Sequence, residues 1–485
     1  MKKLFIGFLC ALGILSLTAC GGDGNKKPTT RKTKVTYCGW DLGTESEPTL
    51  KSKLIDKFNS EHETIIIEPI RPQGSYDAYL STMASDQSLP DVFLVNSVPT
   101  AVISKLAKDI TELTAADEEW KDVESSLKEA ITFNNKVFAI PSAQNYMGFM
   151  ANYDLIDEYA PSGSEEAEKK FAPGAFTTKE FFDTAKITKD ATPTDGTGVI
   201  GINATGDMIN WLPSTLDTTG KTKHYVWNAE DKKFDFTNQV MIDALSAIQE
   251  LGNKNSKFTF NSYKGGEQEN EACKTIFGTT DENTLFESGQ MAFLQAATYY
   301  SFNIDEEDMN YKFIAYPDAR VVSAADFLCI SRSASNPEAA FEVAKYLSYG
   351  QAGLTACYEL AKTGEVKLTG LPITTNKTLT DKWFDYVTLP GVKEVYEKVV
   401  SGDIEVMVEG NKSVPGFQNA RFDFQTGISI EGVRNGDPLK IGDFIWDVCE
   451  GSISINDYTT KMTKELADKI NEEIVKAYDE ISKLA

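Results

Sequence analysis

Histidine is scarce in this sequence, and its cysteines lack the spacings that mark common metal or redox sites. The 485 residues include two histidines, His62 and His224, which excludes a metal site built from several histidines. The seven cysteines are dispersed and form no Cys-x-x-Cys pair, so they indicate neither a zinc site nor a disulfide framework. The P-loop lysine motif and the Gly-x-Ser-x-Gly motif are also absent. We therefore expect no metal, no cofactor and no catalytic residues.

Basic residues are outnumbered as well. Lys and Arg total 48 against 72 Asp and Glu, which gives a formal net charge of -24 at pH 7. A strongly acidic chain repels a phosphate backbone, so we exclude nucleic acid as a partner. The charge places no such restriction on an uncharged ligand.

The N-terminal residues have the order of a secretory signal. Lys2 and Lys3 precede the apolar run LFIGFLCALGIL, which is too short for a transmembrane span, and small residues follow. The sequence LTACG resembles the lipobox of bacterial lipoproteins, whose cysteine is lipidated. We predict a signal peptide at residues 1–19, lipidation of Cys20 and a flexible tether over 20–34. The alternative is a plain secretion signal with an incidental cysteine.

The next part of the chain alternates between strand and helix patterns. Three buried-type apolar runs are separated by two segments with apolar residues at helical spacing. This order predicts an α/β fold with a largely parallel sheet covered by helices. The predicted strands are VTYCGW, TIIIEPI and PDVFLV, and the predicted helices span 48–62 and 76–86.

Polar and aromatic residues follow two of these strands. Ligands of parallel sheets bind beyond the carboxyl ends of the strands, which here carry Trp40 and Asp41, and Asn96 and Ser97. We predict that these four residues contact a ligand. Packing is the alternative for Trp40, and a helix cap is the alternative for Asn96 and Ser97.

The stretch VFAIPSAQNYMGFMANYDL (137–155) contains two apolar runs separated by small and polar residues. We expect a strand at Val137–Ile140 that ends at Pro141, because proline has no N–H to donate. A second strand is expected at Met147–Met150. No tight-turn dipeptide such as Asn-Gly joins them, so an ordinary hairpin is not predicted here.

Several segments, taken in order, resemble one family. They are LKSKLIDKFNSEHETIIIEPI, YLSTMASDQSLPDVFLV, NNKVFAIP with MGFMANYDLID, FTTKEFFDTAKIT, FESGQMAF, ISRSASNPEAAFEVAKYLS and GLPITTN. Each segment alone is degenerate, but their order over most of the chain is similar to that of extracellular solute-binding proteins of bacterial ABC importers. The resemblance is to the carbohydrate-binding family that includes maltose-binding protein. Residues 253–282 match no pattern of this family.

The resemblance implies a periplasmic-binding-protein-like fold of two α/β lobes, joined by a hinge and closing on a ligand in the cleft between them. It places the chain crossovers near Gln144–Gly148, Ala324–Leu328 and Gly370–Thr374. The implied first lobe is 35–143 with 328–370, and the implied second lobe is 147–323 with 372–485.

The crossovers supply further candidate ligand residues by resemblance. Asn145 and Tyr146 lie at the first crossover and are expected to face the cleft. Asp326 lies at the second, where a structural role in the hinge is the alternative. A pyranose has apolar C–H faces and a ring of hydroxyls, so aromatic and hydrogen-bonding side chains suit it together.

Four candidates lie in the implied second lobe. Tyr299 replaces the tryptophan that the family carries in its cleft, and Trp211 opens a helix. Phe417 and Arg421 match a family helix that has a stacking aromatic and a polar contact. Core packing is the alternative for Trp211 and Phe417, and a surface cation is the alternative for Arg421.

These expectations combine into a lipid-anchored, monomeric receptor on the outer face of the cytoplasmic membrane. It would capture a carbohydrate, in particular an oligosaccharide, and deliver it to an ABC permease with its ATPase. One alternative is a surface lipoprotein enzyme that acts on carbohydrate with a carboxylate pair, since 72 acidic residues leave that possibility open. Another is a receptor for peptides or other solutes on the same fold.

Overall fold

The computed structural model describes residues 32–484, except 73, 160–166, 173, 188–194, 254–256, 301, 303, 305–307, 365, 367–376 and 387–388. The predicted signal peptide, Cys20, most of the predicted tether and the third predicted crossover at 370–374 lie outside the described residues.

Thirteen strands are formed by the described residues. They are β1 Thr33–Cys38, β2 Ile65–Ile70, β3 Val92–Val95, β4 Thr132–Phe133, β5 Lys136–Val137, β6 Ile140–Asn152, β7 Ile200–Ile202, β8 Trp227–Asn228, β9 Lys233–Phe234, β10 Met291–Ala297, β11 Tyr311–Ile314, β12 Arg320–Ile330 and β13 Glu405–Val408.

Twenty α-helices accompany them in the described part of the chain. They are α1 Leu50–Glu61, α2 Tyr76–Ser85, α3 Val98–Ile103, α4 Thr111–Ala115, α5 Ser125–Ala130, α6 Tyr153–Tyr159, α7 Ala167–Lys170, α8 Thr178–Ile187, α9 Leu212–Leu216, α10 Gln239–Gly252, α11 Glu267–Phe277, α12 Glu282–Glu287, α13 Pro337–Tyr346, α14 Gln351–Lys362, α15 Lys377–Phe384, α16 Val392–Ser401, α17 Gly410–Ser413, α18 Ile441–Cys449, α19 Ile455–Lys461 and α20 Lys464–Ser482. None of these helices has the length and apolar character that crossing a bilayer requires.

One sheet connects two lobes. Its strand order is β2-β1-β3-β12-β6-β10-β7, with β11 paired to β6 and β13 paired to β12. We call the β2-β1-β3 side the first lobe and the β10-β7-β11 side the second lobe. The predicted parallel arrangement is confirmed for β1, β2 and β3, whereas β12 runs antiparallel to both β3 and β6.

Strand β6 passes from one lobe to the other without a break. It pairs with β12 through Asn145 and with β10 from Met147 onward. The prediction that Pro141 ends a strand is wrong, because Pro141 lies opposite Phe327 within the ladder. The register shifts beside it and leaves Ser142 without an opposing residue, and such a bulge is a position at which a sheet tolerates proline.

Two apolar cores lie on opposite faces of the shared strands. The first core surrounds β1 and β3 and extends beneath β6 and β10 through Met150 and Leu294. The second core covers the other face of the same strands through Phe149 and Phe293. Because side chains alternate along a strand, neighbouring residues of β6 belong to different cores.

Polar side chains mark the starts of several helices. Thr177 and Glu180 exchange backbone and side-chain hydrogen bonds in a capping box before α8. The side chains of Asn238 and Asn336 cap α10 and α13. The C-terminal segment forms two helices, α19 and α20, because Thr463 caps a new start between them.

The predicted lobe boundaries stay predictions. The Tyr358 hydroxyl of α14 donates to Leu379 O of α15 at 2.7 Å. This hydrogen bond joins Leu379, which lies in the predicted second lobe, to a helix of the predicted first lobe.

Candidate functional site

Side chains alternate in exposure along β6 where this strand passes between the lobes. Ala143, Asn145 and Met147 are partly exposed, whereas Gln144 and Tyr146 are buried. Successive side chains of a strand point to opposite faces, so Asn145 and Tyr146 cannot both line one cleft. We call the face that carries Asn145 the cleft face.

Tyr146 lies on the opposite face, and the expectation that it faces the cleft is wrong. It is 1% exposed within the first core. Its hydroxyl has no hydrogen-bond partner among the described residues. Burial, together with the nearby Glu124 carboxyl, raises the pKa of Tyr146 well above its usual value.

The second crossing strand contributes Asp326 to the cleft face. Residues that oppose each other in antiparallel strands share a face, and Ala324 lies opposite Asn145 while Asp326 lies opposite Ala143. The carboxylate of Asp326 accepts from Lys412 Nζ at 3.2 Å. The two predicted crossovers are therefore adjacent, and Asp326 has a structural partner as well as a cleft position.

Lys412 links the two lobes through Trp40. Its ammonium lies 5.6 Å from the centre of the Trp40 ring, while its own side chain is 11% exposed. Short helix α17, which carries Lys412, packs on α3 of the first lobe. The residue was missed from the sequence because nothing local distinguishes it from other lysines.

The first-lobe wall is built at the end of β1. Trp40 is 38% exposed and packs edge-on against Tyr76, with ring centres 4.9 Å apart. Asp41 accepts from the Tyr37 hydroxyl at 2.6 Å and lies 3.6 Å from Lys51 Nζ. The Trp40 ring thus stands partly free on a fixed support, while the Asp41 carboxylate is held by neighbours.

Asn96 and Ser97 follow β3 as expected. The Asn96 amide donates to both carboxylate oxygens of Asp77, at 2.9 and 3.0 Å. Ser97 Oγ accepts from the N–H and the hydroxyl of Thr100, so it caps α3. Ser97 is therefore a helix cap, which is the alternative given for it above. Asn96 is exposed, and its amide lies beside the Asp77 carboxylate.

The second-lobe wall begins just after β10. Thr298 donates its hydroxyl to Asn145 Oδ1 at 3.3 Å, which brings the next residue, Tyr299, close to the crossover. Tyr299 is 51% exposed and lies 5.1 Å from the Tyr300 ring. Two adjacent tyrosines therefore stand where the resemblance placed one cleft aromatic.

Arg421 is buried rather than a surface cation. It belongs to a π-helix, Asn419–Asp423, and its guanidinium carbon lies 4.0 Å from the centre of the Tyr225 ring. Its Nε has no hydrogen-bond partner in the described part of the chain. Single-turn π-helices occur frequently at functional sites, and a buried donor without a partner suits a ligand oxygen.

Two carboxyl groups accompany these cations, from Asp207, which is exposed, and Glu409, which is partly exposed. Partial desolvation by the surrounding protein raises the pKa of Asp207, and the Arg421 charge opposes that shift. Burial likewise raises the pKa of Glu409, against the opposing charge of Lys412. Asp207 lies soon after the end of β7, so the strand-end argument could have found it, whereas no local signal marks Glu409.

Trp211 and Phe417 are core residues. Trp211 is fully buried and stacks on Tyr316, with ring centres 4.7 Å apart. Phe417 is 2% exposed and packs against Phe234. Core packing, the alternative given for both, accounts for their positions.

A sheet whose strands cross between two α/β lobes is the architecture of two-lobed binding proteins that hold a ligand between their lobes. The family model described as bacterial extracellular solute-binding protein matches residues 53–390. The chain belongs to this family, so the resemblance drawn from the sequence is confirmed and the protein is extracytoplasmic. No curated protein sequence is significantly similar to the chain.

Solved structures share the fold at low sequence identity. An ABC substrate-binding protein of Listeria monocytogenes in complex with cycloalternan is 15% identical, with a TM-score of 0.61 over 91% of this chain and 99% of that chain. The sugar-binding protein MalE of Xanthomonas citri is 14% identical, with a TM-score of 0.62 over 92% and 98%. The cyclic alpha-maltosyl-1,6-maltose binding protein of Arthrobacter globiformis is 14% identical, with a TM-score of 0.58 over 91% and 100%.

Proposed function

We propose that the protein captures a carbohydrate, in particular an oligosaccharide, and delivers it to an ABC permease. The observation that carries this proposal is the set of side chains around the cleft face. Trp40 and Tyr299 offer exposed aromatic faces on the two walls, and Asn145 and Asp326 offer polar groups between them. Apolar C–H faces and hydroxyls of a sugar require this combination.

The solved relatives support the same ligand class, because one is in complex with cycloalternan and another is a cyclic alpha-maltosyl-1,6-maltose binding protein. Closure of the lobes would let both walls contact one ligand, and the additional contacts would shift the population toward the closed form.

Titration calorimetry against a panel of oligosaccharides tests the ligand class. We expect one glycan to bind tightly and to be recovered unchanged, since the proposed function is binding without chemistry. Tight binding of peptides with no response to any glycan would overturn the substrate class. Time-dependent release of shorter products would instead identify an enzyme.

We also propose that Cys20 carries the lipid that anchors the protein outside the cytoplasmic membrane. The order of the first twenty residues supports this. Labelled palmitate should enter the wild-type chain and should not enter the Cys20→Ser variant. Equal incorporation into both chains would contradict the anchor.

A further inference from the structure

Four basic side chains converge on one end of the first lobe. Lys105, Lys108, Arg332 and Lys483 line two adjoining cavities of about 570 and 480 Å³, and Lys105 and Arg332 line both. We call these four residues the basic face. Three of them are exposed and Lys108 is partly exposed.

The basic face is not neutralised within the part of the chain that the structure describes. None of its four residues forms an ion pair there, whereas other cations of the first lobe do, such as Lys345 with Asp117 at 2.6 Å. The one acidic residue that lines either cavity is Asp109, which lies 3.7 Å from Lys136 Nζ. Basic residues therefore outnumber acidic residues around these cavities by four to one. In the whole chain the balance is reversed, with 72 acidic and 48 basic residues.

The basic face lies at the end of the sheet opposite the ligand site. Lys108 N–H donates to Ile330 O at 2.8 Å, and Ser331 N–H donates to Asp91 O, so these residues stand where β12 ends and β3 begins. Strand β1 is parallel to β3 and starts at the same end. The cleft residues Trp40 and Asn96 follow the other ends of those strands, so occupation of the basic face leaves the ligand site open.

The chain toward the proposed anchor leaves from the same end. The described residues begin at Lys32, one residue before β1, and the Lys32 ammonium donates to Asn59 O at 3.0 Å. The twelve residues from Cys20 to Lys32 span at most about 40 Å when fully extended. An anchor at Cys20 therefore keeps this end of the first lobe near the membrane.

We propose that the basic face binds the phosphate-bearing headgroups of anionic lipids and orients the anchored protein with its first lobe on the membrane. This inference rests on the anchor proposed above. The screening length at physiological salt is about 8 Å, so the charges nearest the lipid decide the contact.

The contact is weak and becomes effective through the anchor. Four basic residues near an anionic surface give a dissociation constant of roughly millimolar order. A short tether supplies an effective concentration of the same order, so a large fraction of anchored molecules would lie on the membrane. The protein would then alternate between membrane-bound and upright orientations, and the upright one would be free to meet a permease.

The test anchors the protein chemically, so it does not depend on lipidation in cells. The mature chain is coupled at Cys20 to a maleimide lipid, because the five other cysteines of that chain are buried. Vesicles contain phosphatidylcholine alone or with added phosphatidylglycerol. An amine-reactive ester then labels lysines, and mass spectrometry gives the rate at each position.

We expect Lys105, Lys108 and Lys483 to be labelled at least about threefold more slowly on the anionic vesicles. High salt should abolish this protection, and Arg332→Glu should reduce it while leaving the circular dichroism spectrum unchanged. Exposed Lys461 in α19 is the internal control and should react equally on both vesicles.

Equal labelling on the two vesicle types would overturn the proposal. Protection by inorganic phosphate without vesicles would overturn it too, because it would identify a site for free anions. Protection by a detergent-solubilised permease but not by anionic vesicles would instead assign the face to an acidic protein partner. Absence of palmitate from Cys20 in cells would contradict the anchor alone and leave the vesicle result standing.

Discussion

The first lobe presents Trp40, an aromatic side chain that stands partly free at a strand end, whereas the second lobe holds the charged side chain of Arg421 within an apolar core. Trp40 is 38% exposed and rests on Tyr76. Arg421 is 6% exposed and lies against the Tyr225 ring. We therefore expect binding and stability to be separable at Trp40 and coupled at Arg421.

The largest effect is expected in the core of the second lobe. Trp211→Ala removes a fully buried ring that stacks on Tyr316, and such deletions cost about 3–5 kcal/mol. Denaturant unfolding of the variant and the wild type measures the loss. A change below about 1 kcal/mol would show that Trp211 is not a core residue and would restore a ligand role for it.

Acid should weaken the second lobe through His224. Its Nδ1 accepts from Gly410 N–H at 3.1 Å, and burial, reinforced by the Arg421 charge, lowers the pKa of His224 to about 3. The unfolded histidine titrates near pH 6.5. Between these values the unfolded chain binds a proton that the native protein does not, so the unfolding free energy falls by about 1.4 kcal/mol per pH unit as pH decreases.

This contribution is complete above pH 6.5, and about 2–3 kcal/mol of it should be lost by about pH 4.5. His224→Asn serves as the comparison, because its Oδ1 can accept the same hydrogen bond without titrating. Unfolding measured at both pH values should show a smaller loss for the variant. An identical pH dependence of both proteins would contradict the assignment to His224.

The wall of the first lobe should respond in the opposite way. Trp40→Ala is expected to weaken oligosaccharide binding by about tenfold or more and to change the unfolding free energy by less than about 1 kcal/mol. Trp120→Ala is the matched control, since Trp120 is also partly exposed in the first lobe but packs on Tyr349. Equal effects of the two substitutions on affinity would remove Trp40 from the site.

The smallest effects should distinguish the two faces of β6. Asn145→Ala is expected to weaken ligand binding severalfold, because it removes a polar group from the cleft face. Tyr146→Phe should leave affinity unchanged and stability equal or slightly higher, because the lost hydroxyl has no partner among the described residues. Calorimetry and denaturant unfolding of both variants measure this contrast, and a loss of affinity in Tyr146→Phe would contradict the assigned faces.

The residues of the site differed in how well the sequence predicted them. Trp40 was found because a parallel sheet places ligands beyond its strand ends, and the structure leaves its ring partly free there. Tyr146 was placed on the wrong face because a strand break was expected at Pro141. Lys412 was missed, since its approach to Trp40 joins residues that are far apart in the chain.

The sequence by itself determined the alternation of strands and helices and the caps at Thr177, Asn238 and Asn336. These features depend on hydrogen bonds and apolar spacings within a few residues, so they are encoded locally. The tertiary structure alone decided that β6 continues through Pro141, that Asn145 rather than Tyr146 meets the cleft, and that Arg421 is buried. Each of these depends on pairing and packing between distant segments, where a bulge of one residue or one added neighbour changes which side chain is exposed.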